Sequence, residues 1–320
     1  MAFIVWESLD SGSGLNDTAE RTTKHDVHGR DELDDRATMD CNAPRHPDRH
    51  NTAGNRMSSD HDRRDLERRI QAAIDSKTKP VGSLGRIEAL AMQICLLQGT
   101  DQPDVSSCEL TLFAADHGMA AAGVSAYPSS VTRQMVENFL AGGAAANAFA
   151  DAVGVAIRVV DAGVAGEPVD HPDLISHRIR AGTRNAIEEP AMTDGELEQA
   201  LSAGNAIGAG SAHPVVAFGD MGIGNTAAAS LVAAKLTGGD VRALTGRGTG
   251  LDDDGLERKR ALLARAAGRT PATLAGHDAL REYAGFEMVM IAGAMIGAAQ
   301  ASRLVLVDGF ICSAAALAAL

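Results

Sequence analysis

Apolar residues recur at helical spacing at Leu66, Ile70 and Ile74, and again at Ile87, Leu90, Ile94 and Leu97. Residues 61–100 are therefore expected to form two amphipathic helices, broken by the polar and glycine-containing stretch 77–85. Beyond residue 101 the pattern changes. Short β-branched runs at 110–115, 155–160, 215–218 and 304–307, with a weaker one at 175–179, alternate with alanine-rich helical stretches. Those stretches cover 131–150, 194–207, 227–236, 255–267 and 286–301. Strands alternating with helices imply a parallel sheet covered on both faces. The expected fold is α/β, a three-layer α/β/α domain over 101–320 with a mostly parallel sheet, preceded by a small helical N-terminal subdomain at 61–100. Residues 1–60 read as a disordered polar leader, with hardly any aliphatic periodicity from Glu7 to Asp60 to offset the entropy of ordering.

The ends of the expected strands carry the chemistry. Asp116-His117-Gly118, Asp161-Ala162-Gly163, Gly219-Asp220 and Asp308-Gly309 each follow an apolar run. In an open parallel sheet the carboxyl ends of the strands line the ligand crevice, so these acids are expected to face one pocket. The densest such turn is Gly219-Asp220-Met221-Gly222-Ile223-Gly224-Asn225-Thr226, between a strand pattern and a helix pattern. Backbone N–H groups at a helix start lack internal partners and glycines admit close approach, which makes this turn a candidate phosphate site. A P-loop reading fails because Asn225 stands where the phosphate-gripping lysine belongs. A dinucleotide fingerprint fits Gly222, Gly224 and Ala227, with Asp240 as the ribose acid, but Asp240 sits in a turn with no strand leading into it. A second cluster, Thr245-Gly246-Arg247-Gly248-Thr249-Gly250, precedes a helix whose Lys259 could reach back toward an anion.

Composition narrows the classes. At 320 residues and 45% apolar the chain can bury a sizeable core, and a net charge of −13 argues against nucleic-acid binding. No apolar stretch reaches membrane-spanning length and no secretory leader is evident, so the cytoplasm is the expected compartment. Cys41, Cys95, Cys108 and Cys312 are widely spaced, and His25, His28, His46, His50 and His61 fall irregularly in or beside the leader, so neither metal nor disulfide is expected. Cys95, Cys108 and Cys312 lie in apolar runs and read as small core residues.

Taken together, these motifs resemble the nicotinate-nucleotide–dimethylbenzimidazole phosphoribosyltransferase family. The resemblance runs from about Lys77 to the last residue. It is carried by Lys79-Pro80-Val81-Gly82-Ser83-Leu84-Gly85-Arg86, Ala115-Asp116-His117-Gly118, Gly123-Val124-Ser125-Ala126-Tyr127-Pro128, Val131-Thr132, Asn138-Phe139-Leu140-Ala141-Gly142-Gly143-Ala144, the two glycine clusters, and Val307-Asp308-Gly309-Phe310-Ile311. It implies transfer of phosphoribosyl from nicotinate mononucleotide to dimethylbenzimidazole, without metal or cofactor, in a homodimer. Asp220 then takes the place of a family glutamate as the catalytic carboxylate. Gly219, Gly222, Gly224, Asn225, Thr226, Gly246, Gly248, Gly250 and Lys259 would hold phosphate and ribose. Lys79, Pro80, Asp116, His117, Ser125, Tyr127, Pro128 and Asp308 would surround the base. Two departures stand out. Asp220 is one methylene shorter than the family's glutamate. Family members also continue past the Asp308 segment to a late Gly-Glu-Gly whose glutamate is taken as general base, whereas this sequence stops at Leu320, so slow turnover is expected. The other readings are a protein that only binds a nucleotide or benzimidazole, and a nicotinamide-dinucleotide oxidoreductase dependent on Asp240.

Overall fold

The computed structural model describes Ile4–Val5 and residues 60–320. Its strands are β1 (Ile4–Val5), β2 (Cys108–Ala115), β3 (Ala156–Gly163), β4 (Leu174–Ser176), β5 (Val215–Met221) and β6 (Leu304–Val307). They form one sheet in the order β1-β6-β5-β2-β3-β4, with every pairing parallel. The helices are α1 (Asp60–Asp75), α2 (Arg86–Gln98), α3 (Ser130–Leu140), α4 (Ala145–Val153), α5 (Asp194–Ala209), α6 (Asn225–Thr237), α7 (Val241–Leu244), α8 (Asp253–Ala267), α9 (Gly276–Tyr283), α10 (Phe286–Gln300) and α11 (Phe310–Ala319).

Side chains alternate across a strand, so one strand feeds two cores. Phe113, Val160, Val216, Phe218, Val305 and Val307 join the principal core with α5, α6, α10 and α11. Ala114 and Val159 instead meet Val136, Phe139 and Leu140 of α3. Val215 and Leu304 meet Leu90, Ile94 and Leu97 of α2, while Leu66 and Ile70 of α1 pack on Cys95. Helices thus cover both faces, as the alternation of patterns implied. The α1–α2 hairpin is tied to the sheet rather than standing apart from it.

Helix α10 is the centre of the principal core. Its residues are buried all round from Phe286 to Met295, which suits a helix with no polar face. It meets α5 backbone to backbone. A Cβ on Gly204 or Gly208 would lie 2.1 or 2.0 Å from the carbonyl oxygen of Met290 or Ala294, and one on Gly293 or Gly297 would lie 2.3 or 2.1 Å from that of Leu201 or Asn205. Only glycine fits at these four positions without moving a helix.

Several expectations are corrected. The single helix expected at 131–150 is two, because Gly142 takes a left-handed turn (φ +74°) and a Cβ at Gly143 would strike the Asn138 side chain at 2.3 Å. Asn147 stitches the break, accepting from Ala144 N at 3.2 Å and donating to the Phe139 carbonyl at 3.1 Å. The weak run at 175–179 yields only the three residues of β4. Ile4–Val5 pair with β6, so the leader reading does not extend to them. The rest of that reading, including Cys41, His25, His28, His46 and His50, lies outside the described residues.

Candidate active site

The sheet order places a switch point between β2 and β5, because the chain leaves β2 for β3 on one flank while β5 and β6 lie on the other. Crevices at such points are the usual ligand sites of open parallel sheets. Asp220 sits here, opposite Phe113 in the β2–β5 register. Gly222-Ile223-Gly224 then turns the chain into α6. Gly224 has φ +104°, and a Cβ on Gly222 would fall 2.2 Å from the Ala115 carbonyl oxygen, so both positions require glycine.

The turn is braced from beneath. Ile223 N donates to Thr132 Oγ1 at 3.1 Å, and Thr132 donates to Asp116 Oδ1 at 2.7 Å. Asn225 N donates to the Gly222 carbonyl at 3.1 Å, and Thr226 N to Asn225 Oδ1 at 2.8 Å. Three N–H groups of the turn and the helix start are therefore already bonded within the protein. Positive charge at the site comes from elsewhere.

It comes from the second glycine cluster. A cavity of about 90 Å³ is lined by Ser125, Gly222, Gly224, Asn225, Thr226, Arg247, Gly248, Thr249 and Lys259, among others. At ~30 Å³ per water this is room for a few waters or one phosphate-sized group. Lys259 is 1% exposed and donates to Thr226 Oγ1 at 2.9 Å and to the Gly246 carbonyl at 3.3 Å. Burial brings its ammonium down to about 8. Gly248, at φ +59°, passes 3.4 Å from Lys259 Nζ as measured from an added Cβ. Gly246 serves through its carbonyl, and neither it nor Gly250 lines the cavity.

Asp220 borders this cavity through its neighbours. Asn225 Nδ2 donates to Asp220 Oδ1 at 2.7 Å, and the Cys312 thiol approaches Oδ2 at 3.7 Å. Burial, reinforced by the nearby Glu287 carboxylate, pushes the Asp220 carboxyl up to about 6; His117 and the donors from Cys312 and Asn225 pull it partly back. A carboxylate at that value is ionised at neutral pH yet basic enough to accept a proton.

The acids do not converge as the sequence pattern implied. Asp116 is buried with Oδ1 on Thr132 and Oδ2 accepting from Ala165 N at 2.8 Å. Asp161 accepts from Val164 N at 2.8 Å, and Asp308 is exposed. None of the four lines the cavity, and only Asp220 is hydrogen-bonded to a residue that does, Asn225; two of the others cap loops. Of the base-side set, only Ser125 lines this cavity. Lys79 pairs with Glu88 at 2.9 Å, and Pro80, Tyr127 and Pro128 are exposed. His117 lies wholly buried under the turn, its Nε2 at 2.8 Å from Glu287 Oε1. Asp240 caps α7 by accepting from Arg242 N at 3.0 Å, which removes the ribose role that a dinucleotide reading gave it.

Three residues escaped the sequence reading. Arg247 and Thr249 line the cavity from within a cluster read only for its glycines. Glu287 had a visible signal, being the one charge in the apolar helix Phe286–Gln300.

Known relatives fit this geometry. The phosphoribosyltransferase family model matches residues 60–320. The nicotinate-nucleotide–dimethylbenzimidazole phosphoribosyltransferase of Cupriavidus taiwanensis is 51% identical over 253 residues, covering 78% of this chain and 73% of the relative. This chain belongs to that family. The Roseiflexus member is 48% identical over 255 residues, covering 78% of this chain and 72% of its own. The crystal structure of CobT from Thermus thermophilus superposes with a TM-score of 0.76 at 43% identity, covering 80% of this chain and 78% of that one. The family's parallel α/β architecture is the one described above. Among the described residues no helix is long and apolar enough to cross a membrane, and no three His, Cys, Asp or Glu side chains form a metal-holding group.

Proposed function

We propose that this chain transfers the phosphoribosyl group of nicotinate mononucleotide to a ring nitrogen of 5,6-dimethylbenzimidazole, giving α-ribazole 5′-phosphate and nicotinate. The observation that carries the reading is the buried Lys259 ammonium facing a phosphate-sized cavity beside Asp220, at the switch point of the sheet. The leaving group is a pyridinium, so the glycosidic bond breaks with its electron pair going to the nicotinate nitrogen, and no acid is needed. The protein must supply position and a base. Lys259, Arg247, Thr226, Thr249 and Ser125 hold the 5′-phosphate. One benzimidazole nitrogen forms the new bond to C1′ from the face opposite nicotinate, which inverts β to α. The proton on the other nitrogen passes to the Asp220 carboxylate.

The same reading carries a homodimer. Phe149 and Val153, one turn apart on α4 and each 74% exposed, are apolar positions that a second copy would cover.

The test is chromatographic detection of α-ribazole 5′-phosphate from the purified chain with both substrates. Asp220→Asn is expected to lower kcat by roughly 10²–10⁴-fold, the usual worth of a positioned base, with an unchanged Tm. An Asn variant that turns over at the parent rate would remove Asp220 from the reaction. Nucleotide binding with no product from the parent chain would favour a binding protein instead.

A further inference from the structure

Beneath the glycine turn lies an ion pair that the transfer step does not touch. His117 follows β2, Glu287 stands in the first turn of α10, and both side chains are fully buried with Nε2 and Oε1 2.8 Å apart. Two glycines make room for it. A Cβ on Gly285 would lie 2.1 Å from Glu287 Oε2 and 2.4 Å from His117 Cε1, and one on Gly222 would lie 3.3 Å from His117 Nε2. Yet His117 Nδ1 and Glu287 Oε2 have no hydrogen-bond partner. A buried pair with half its bonding capacity unmet costs stability relative to apolar packing. Such departures from a well-packed core concentrate at functional sites, and Gly222 is two residues from Asp220.

We propose that His117 and Glu287 are a positioning pair that sets the charge state of Asp220 for the transfer step. This rests on Asp220 being the base. The groups facing Asp220 are Glu287 from α10, Cys312 from α11, His117 from the end of β2 and the Asn225 amide from α6. Asp116 faces His117 from the same loop, and Asp308 faces Cys312. Glu287 and His117 act on Asp220 in opposite senses: the first holds the proton on, the second draws it off. Burial works against a charged His117, but Glu287, with Asp116 and Asp220, raises it above its ordinary value on balance. The pair therefore balances two fields at one carboxyl, and removing either partner tips it.

That balance is tested by the acid limb of the kcat/KM profile, which reports the free enzyme. His117→Gln keeps a donor toward Glu287 but no charge, so the limb moves to higher pH, by about one unit. Glu287→Gln moves it the other way by a similar amount. The double variant returns it toward the parent position. If His117→Gln does not fold, Glu287→Gln and the double variant, which bury no unpaired carboxylate, carry the sign test. A limb that stays in place in the folded variants, or that moves the same way in both single variants, overturns the proposal. Asp220→Asn separates the two layers: full activity there refutes the underlying reading, whereas its loss with an unmoved limb refutes only the pair.

Discussion

Among the described residues two lysines have almost no exposed surface, and they are held differently. Lys235, 4% exposed on α6, donates to the carbonyls of Ala267, Thr270 and Pro271 at 2.6, 3.3 and 2.7 Å. An ammonium has three protons, and three acceptors at the end of α8 take them all. Lys259, 1% exposed on α8, has two acceptors and a cavity. Burial lowers the affinity of both for their proton. Exposure and pKa direction do not distinguish a lysine whose donors are all taken from one with a donor to spare. The remaining donor does.

The contrast makes Lys235 the more damaging residue to lose. Lys235→Met strands three carbonyls where the last turn of α8 ends. Losing hydrogen bonds to a charged group costs about 1.5–3 kcal/mol each, less at exposed Pro271 than at half-buried Ala267 and Thr270, and it is seen as a lower midpoint in denaturant, while folded molecules keep the parent KM for nicotinate mononucleotide. An unchanged midpoint would mean that water can replace the ammonium.

Lys259→Met is the converse. Stability falls less, since two acceptors rather than three lose the ammonium and they border a cavity that water can enter, and KM for nicotinate mononucleotide rises ~10- to 100-fold, the range for a lost charge-assisted contact of about 1.5–3 kcal/mol. A variant that lost stability and kept its KM would reverse the two roles.

The gentlest test is pH. Lys259 titrates at about 8 in the unliganded protein, below the ordinary lysine value, so its charge is present below that pH and lost above it. Asp220 titrates at about 6, above the ordinary aspartate value, so its basic form is lost below that pH. The kcat/KM profile is therefore a bell with limbs near 6 and 8, falling about tenfold per pH unit beyond each. In Lys259→Met the alkaline limb disappears and the acid limb stays.

Much of this arrangement was legible from residue pattern. Val159, Val160, Val215, Val216, Val305 and Val307 mark strands because β-branched runs between alanine-rich stretches have few other uses in an α/β chain. The resemblance puts the two glycine clusters and Lys259 around one phosphate; Gly222, Gly224, Gly248 and Lys259 line one cavity, whereas Gly219, Gly246 and Gly250 do not. The acids misled because Asp before Gly serves a loop as readily as a ligand. Asp116 and Asp161 spend their oxygens on Thr132, Ala165 N and Val164 N. Nor does the pattern separate glycines that open a cavity from those that let helices touch. Gly204 and Gly208 share the spacing of a flexible stretch but lie against carbonyl oxygens of α10. Periodicity alone runs through the Gly142–Gly143 break, because alanine is apolar on every face.

Helix α10 also imposes an order of assembly. Its apolar surface has no use for water and is covered by α5, which is synthesised well before it, so the largest core cannot close until residues 286–300 emerge. Glu287 arrives with that helix. A chain that extends only as far as α6 contains the glycine turn and Asp220, but neither the Glu287 partner of His117 nor the α10 cover over its principal core. The helix that covers the core is thus also the one that carries the partner of His117.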